Sequence, residues 1–87
     1  MYVVIVYDIS VDRVTKVCHY LRRYLNWIQN SVFEGELSKA QFKEVELGLK
    51  DLINTGEDSV IIYKMRTDKA FNRKVLGLEK AVYSRVI

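Results

Sequence analysis

Few side chains in this sequence are suited to chemistry, and Asp8 stands first among them. It closes an apolar run, Tyr2-Val3-Val4-Ile5-Val6-Tyr7, and precedes a Ser-bearing helix start. A carboxylate there sits on the end of a strand, a rigid platform open to solvent and substrate. One carboxylate holds a divalent cation poorly and does little alone. Two close carboxylates repel unless a cation sits between them. Magnesium suits such a pair, because it keeps several waters and needs only one or two protein carboxylates; manganese is the other candidate cation. A metal so held polarises a phosphodiester and lowers the pKa of a bound water. The alternative is a turn carboxylate that accepts backbone N–H bonds around Ile9 and Ser10.

The remaining reactive residues point to packing. His19 is the only histidine, so one chain cannot build a histidine metal cluster, and it lies beside an apolar stripe as a surface or boundary residue. Cys18 falls on that stripe as core. Cys18 and His19 are adjacent on a helix and point apart, which argues against a nucleophile pair. Tyr7 points away from Asp8 and packs, and Ser31 in an extended segment makes a cross-strand hydrogen bond by default. Trp27 and Phe33 are able to stack on bases, although in so small a domain aromatics usually serve the core. The four glycines are scattered, so no phosphate-binding glycine loop exists.

Charge adds a second pointer. The net charge is only +3, but residues 34–58 carry seven acids against three bases, whereas residues 59–87 carry seven bases against two acids. Arg13, Lys16, Arg22 and Arg23 form an acid-free basic stretch, and five bases including Arg66 lie between Lys64 and Lys74. Clustered positive charge neutralises phosphates, the sequence-independent part of nucleic-acid affinity. The same pattern also suits a merely solvated face.

These residues need elements to position them. Residues 2–7 read as a strand, β-branched and aromatic, apolar at odd and even positions alike. From Asp12 the period changes: Val14, Val17, Cys18, Leu21 and Leu25 make one helical stripe, with the basic residues off it, and Ser10 or Asp12 caps its start. Residues 26–37 are extended, one or two strands. Ser38 with Gln41 spells a capping box, and Leu37 with Phe42 occupies the hydrophobic-staple positions. The stripe Phe42, Val45, Leu49, Leu52, Ile53 then predicts a second helix, ended by Asn54-Thr55-Gly56. Val60-Ile61-Ile62-Tyr63 is a strand apolar on both faces, and Val75 to Glu79 reads as a further short strand. The order β-α-β(β)-α-β-β fits an α+β, ferredoxin-like βαββαβ two-layer sandwich with an additional C-terminal strand, a single domain over residues 1–87.

That fold has a gap in its cover. Two helices shield one face of the sheet, yet the strands at 2–7 and 60–63 are apolar on both. A hydrophobic content of 49% also exceeds what a small soluble domain needs. The remedy is a second copy packed face to face about a two-fold axis, with the 75–87 strand and tail pairing with the partner. An open apolar edge at 60–63 would otherwise invite aggregation. If the axis passes near the ends of the first strands, Asp8 meets its mate, and one carboxylate becomes two. A single cysteine, no signal peptide and no apolar stretch of membrane-spanning length predict a soluble cytoplasmic protein without membrane contact.

A strand ending Val-Tyr-Asp (6–8), a basic amphipathic helix opening Asp-Arg-Val, the segment Ile-Gln-Asn-Ser-Val-Phe-Glu-Gly-Glu-Leu (28–37) and Val-Ile-Ile-Tyr near 60 together resemble the small CRISPR-associated endonuclease family, the second of the numbered Cas proteins. The resemblance spans essentially the whole chain. It implies a ferredoxin-like homodimer whose C-terminal strand supplements the partner's sheet. It also implies a magnesium-dependent endonuclease of antiviral defence that cleaves single-stranded RNA or double-stranded DNA. The strand-end aspartate, shared with its dimer mate as metal ligand, maps onto Asp8. Arg13 matches the arginine opening the first helix, and Ser31 and Phe33 match the Ser-Val-Phe positions linked to activity or substrate contact. A second implied role needs no catalysis: a DNA-binding scaffold that bridges dimers of the larger spacer integrase during spacer integration.

Overall fold

A computed structural model describes residues 1–67, 69 and 72–83. Strand β1 (Tyr2–Asp8) is followed by helix α1 (Val11–Arg22), strands β2 (Asn26–Gln29) and β3 (Val32–Glu36), helix α2 (Lys39–Leu52), strand β4 (Ser59–Met65) and a short helix α3 (Lys80–Tyr83). The sheet has the order β2-β3-β1-β4, with each neighbouring pair antiparallel. This is the expected ferredoxin-like α+β arrangement, with β1 in the interior and β4 at an edge.

Period-two alternation sorts β1 into two faces. Val3, Ile5 and Tyr7 are buried under the helices with Val17, Leu21, Phe33, Val45 and Leu49. Each large side chain sealed there contributes about 1.5–3 kcal/mol of apolar burial. The helical stripes fall as the spacing requires, and the capping box of α2 is complete. Ser38 Oγ accepts from the Gln41 amide at 3.1 Å, while Gln41 Oε1 accepts from the Ser38 amide at 2.9 Å. Ser10 precedes α1 as its N-cap, with no cap bond from its side chain. Residues 26–37 resolve into two strands because Asn30 takes a left-handed turn conformation, φ 42°. Asparagine tolerates that region better than most residues.

The opposite face carries Tyr2, Val4, Val6 and Asp8, with their register partners Met65, Tyr63, Ile61 and Ser59 on β4. No helix covers it. Ile61 and Tyr63 are about half exposed, at 49% and 55%. Its other half carries Glu34 and Val32 of β3. Residues 75–79 form no strand in the single chain. Residues 73–76 instead line a cavity with Ile28, Gln29, Val32 and Glu34, and Arg73 pairs with Glu34. Glu34 is a buried carboxylate that also accepts from Tyr2 Oη at 2.5 Å. A buried charge demands an opposite one, so Arg73 draws the segment over β2 and β3 and away from the β4 edge.

The two helices are fitted at Gly48, where an added Cβ would lie 2.2 Å from the Tyr20 ring and hydroxyl. Tyr20 Oη donates to the Glu44 carbonyl at 2.6 Å, which holds the ring in place. Gly48→Ala is therefore expected to destabilise the fold by about 1–2 kcal/mol through overpacking. In a Tyr20→Ala background the same change should stabilise by about 0.5–1 kcal/mol, the ordinary helix preference for alanine. Urea titration of the four proteins reads this double-mutant cycle; a cost at Gly48 that persists without the Tyr20 ring would refute the packing account.

Candidate phosphodiester-cleavage site

Asp8 ends β1 on the uncovered face and is exposed. Two neighbouring segments flank it. On one side Ser59, the first residue of β4, is its register partner. On the other lies the β2–β3 turn, where the Ser31 carbonyl accepts from the Tyr7 amide at 3.1 Å. The carboxylate thus stands at the tip of an interior strand, on the face where a second copy would pack.

The turn that follows bears on the turn-acceptor reading of Asp8. Were Asp8 a turn acceptor, it would receive the Ser10 amide. That amide donates instead to Asp58 Oδ1 at 3.0 Å. Asp58 also accepts from Arg13, at 2.6 Å from Nε and 2.9 Å from Nη2, and from the Asn54 amide at 2.9 Å. Its side chain is fully buried. The Arg13 guanidinium, with help from the Asn54 and Ser10 amides, holds the Asp58 carboxyl far below the usual carboxylate range despite desolvation. Asp58 and Glu57 in turn push the Arg13 pKa further up. A depressed carboxyl pKa means that this contribution to stability is complete above the unfolded-state value and is lost only as strong acid protonates Asp58. Among the described residues, no hydrogen bond or ion pair engages the Asp8 side chain.

The other residues singled out from the sequence divide. Lys16, Arg22 and Arg23 lie exposed on α1, and Arg66 is exposed just past β4. The Arg23 guanidinium sits 5.8 Å from the ring centres of both Tyr20 and Tyr24. Ser31 is half-buried in the β2–β3 turn, close in the sheet to the end of β1. Two others are engaged within the single chain. Phe33 is fully buried on the helix side, paired with Ile5 and 6.0 Å from the Tyr7 ring, so it packs the core and presents no face to a base. Arg13 spends its guanidinium on Asp58 and, through Nη2 at 2.9 Å, on Glu57, as a structural clamp. Tyr7 and Cys18 pack as expected and meet each other, Oη to Sγ at 3.1 Å; burial and that contact raise the Tyr7 pKa.

Asp58 was not singled out from the sequence. It stands 45 positions from Arg13, and no local pattern links them. The weak signal available was an acid following the Asn-Thr-Gly turn, a composition in which side chains often bond backbone amides.

The donor set at Asp8 fits a hard cation in kind but not in number. It is an exposed oxygen ligand, yet among the described residues of one chain there is no group of three or more His, Cys, Asp or Glu able to hold a metal. No helix among the described residues is long and apolar enough to cross a membrane.

Comparison with known proteins agrees with this geometry. The family model described as CRISPR associated protein Cas2 matches residues 1–73. An Archaeoglobus fulgidus protein named CRISPR-associated endoribonuclease Cas2 2 is 54% identical over 82 residues, covering 94% of this chain and 89% of that one. A Pyrococcus furiosus protein named CRISPR-associated endoribonuclease Cas2 is 51% identical over 87 residues, the full length of both. A solved structure titled "Crystal structure of cas2" superposes with a TM-score of 0.86 at 50% identity, covering 92% of this chain and 90% of that one. With the four-stranded sheet, its two covering helices and the strand-end aspartate in the expected places, the chain belongs to the CRISPR-associated Cas2 family.

Proposed function

We propose that this chain is a divalent-metal-dependent endonuclease that works as a homodimer, with Asp8 of each subunit contributing to one shared site. The observation that carries the reading is the unclaimed Asp8 carboxylate: the structural task it might have served is already performed by Asp58. An exposed strand-end carboxylate that no neighbouring side chain or amide engages is open to a ligand. The names of the relatives as endoribonucleases support phosphodiester hydrolysis, with RNA as substrate and duplex DNA as a second candidate.

The uncovered sheet face supports the dimer. Val4, Val6, Ile61 and Tyr63 form an apolar patch contiguous with Asp8, and a two-fold axis passing near the ends of the first strands would bring two Asp8 side chains to one locus. Magnesium or manganese there would supply polarisation of the scissile phosphodiester and a water of lowered pKa. The chain's own part is to hold two carboxylates rigidly on strand ends and to gather the phosphate backbone. Lys16, Arg22, Arg23 and Arg66 are the exposed cations for that, each acting through its charge rather than through base recognition.

A second reading, a non-catalytic DNA-binding scaffold that joins copies of the spacer integrase, gains support from the lack of a metal-ligand cluster among the described residues of one chain. One substitution separates the two. Asp8→Ala is expected to reduce magnesium-dependent cleavage on the order of a hundredfold or more, while leaving the dimer and duplex binding intact. Cleavage that survives in the purified variant would defeat the enzyme reading. Spacer acquisition that survives would assign the cellular role to the scaffold.

The dimer requirement has its own test. Ile61 is half exposed in the single chain, so Ile61→Arg should leave the subunit folded and yield a monomer at micromolar concentration by analytical ultracentrifugation. Cleavage should vanish with the dimer although Asp8 is present. A monomer that cleaves at the wild-type rate would contradict a shared site.

A further inference from the structure

Asp58 ties together three stretches of chain around the end of β1: the turn after β1 through the Ser10 amide, the first turn of α1 through Arg13, and the end of α2 through the Asn54 amide. Two of these attachments bear on Asp8 directly. Ser10 is two residues beyond it, and Ser59, which follows Asp58, is its register partner. Ending α2 and starting β4 requires no buried charge; local turn bonds such as Asn54 Oδ1 with the Gly56 amide, 2.9 Å, suffice. The buried ion pair therefore calls for a reason beyond chain reversal.

We propose that Asp58 is a positioning residue for Asp8, one that keeps the Ser10 amide and the Arg13 guanidinium occupied so that neither captures the Asp8 carboxylate. The inference rests on the reading of Asp8 as the metal-bearing group. An aspartate readily accepts from the amide two residues on, forming an Asx turn. In this turn that amide is Ser10, and it donates to Asp58 instead. Arg13 is the nearest cation to Asp8 along the sequence, and an opposite charge that settled on Asp8 would compete with a metal for it. With both donors engaged by a carboxylate of their own, Asp8 keeps its oxygens outward. The clamp also fixes the turn, so two copies would present their carboxylates at the same height.

The account predicts an unusual rescue. Asp58→Asn keeps the shape and an acceptor oxygen but removes the buried charge that holds Arg13, leaving only the exposed Glu57 on Nη2, so that Arg13 becomes available to Asp8. Adding Arg13→Gln removes the competing cation and leaves an amide–amide contact in its place. Manganese binding to the dimer without nucleic acid, followed by electron paramagnetic resonance, is the readout. Asp58→Asn should bind manganese about tenfold or more weakly, within the range seen when groups that orient metal ligands are altered. The Arg13→Gln/Asp58→Asn protein should recover to within about threefold of the wild type, although it lacks the ion pair altogether. A purely structural role would make the double variant no better than the single one, and that result overturns the inference, as does wild-type binding by folded Asp58→Asn. Should Asp58→Asn fail to form a folded dimer, the double variant carries the test: binding within threefold of wild type supports the inference, and weaker binding overturns it. Wild-type manganese binding by Asp8→Ala would overturn the Asp8 reading itself, and the inference with it, whatever the Asp58 variants do.

Discussion

A buried carboxylate is tolerable only when its charge is answered and its lone pairs are filled, and Asp58 meets both conditions through Arg13, Ser10 and Asn54. The arrangement at the end of β1 depends on this one ion pair. It joins the first turn of α1 to the turn before β4, beside the end of β1. The two aspartates near this end differ in environment. Asp58 is buried, paired and structural; Asp8 is exposed, unpaired among the described residues and available.

The second constraint is the sheet's uneven cover. Two helices of modest length seal the face of Val3, Ile5 and Tyr7, and nothing of comparable size lies over Val4, Val6, Ile61 and Tyr63. The C-terminal segment covers part of this face, over β2 and β3, where Arg73 meets Glu34. The β1–β4 half stays open, and Asp8 sits at its rim. Under the proposed function a second copy of the chain would cover the apolar patch and supply the unclaimed carboxylate with its mate.

Much of this was legible in the residues because local rules operated without competition. The Ser38–Gln41 box formed as written, and the stripe from Val14 formed through Leu21, while its last residue, Leu25, lies past the end of α1 at Arg22. Both alternations of β1 are apolar, which revealed a surplus on one face; the fold shows that Val3, Ile5 and Tyr7 are the helix-side set. What was not legible depends on pairing across the fold. Arg13 reads from sequence as a basic residue fit for phosphate, and only the 45-residue separation closed by folding reveals its carboxylate partner. Phe33 sits in a segment of mixed polar and aromatic character, and the register that sets it opposite Ile5 decides its burial. The strand expected at 75–79 was a statement about an edge to pair with, and in one chain the pull of Arg73 toward Glu34 prevails.

The central claim is that Asp8 acts as a pair, and the stoichiometry of metal binding tests it most directly. Manganese titrated into the purified dimer, with bound ion counted by electron paramagnetic resonance and dimer mass by light scattering, should saturate at one ion for every two chains. One ion per chain at saturation would mean that each subunit holds its metal alone, and would contradict a shared site at the axis.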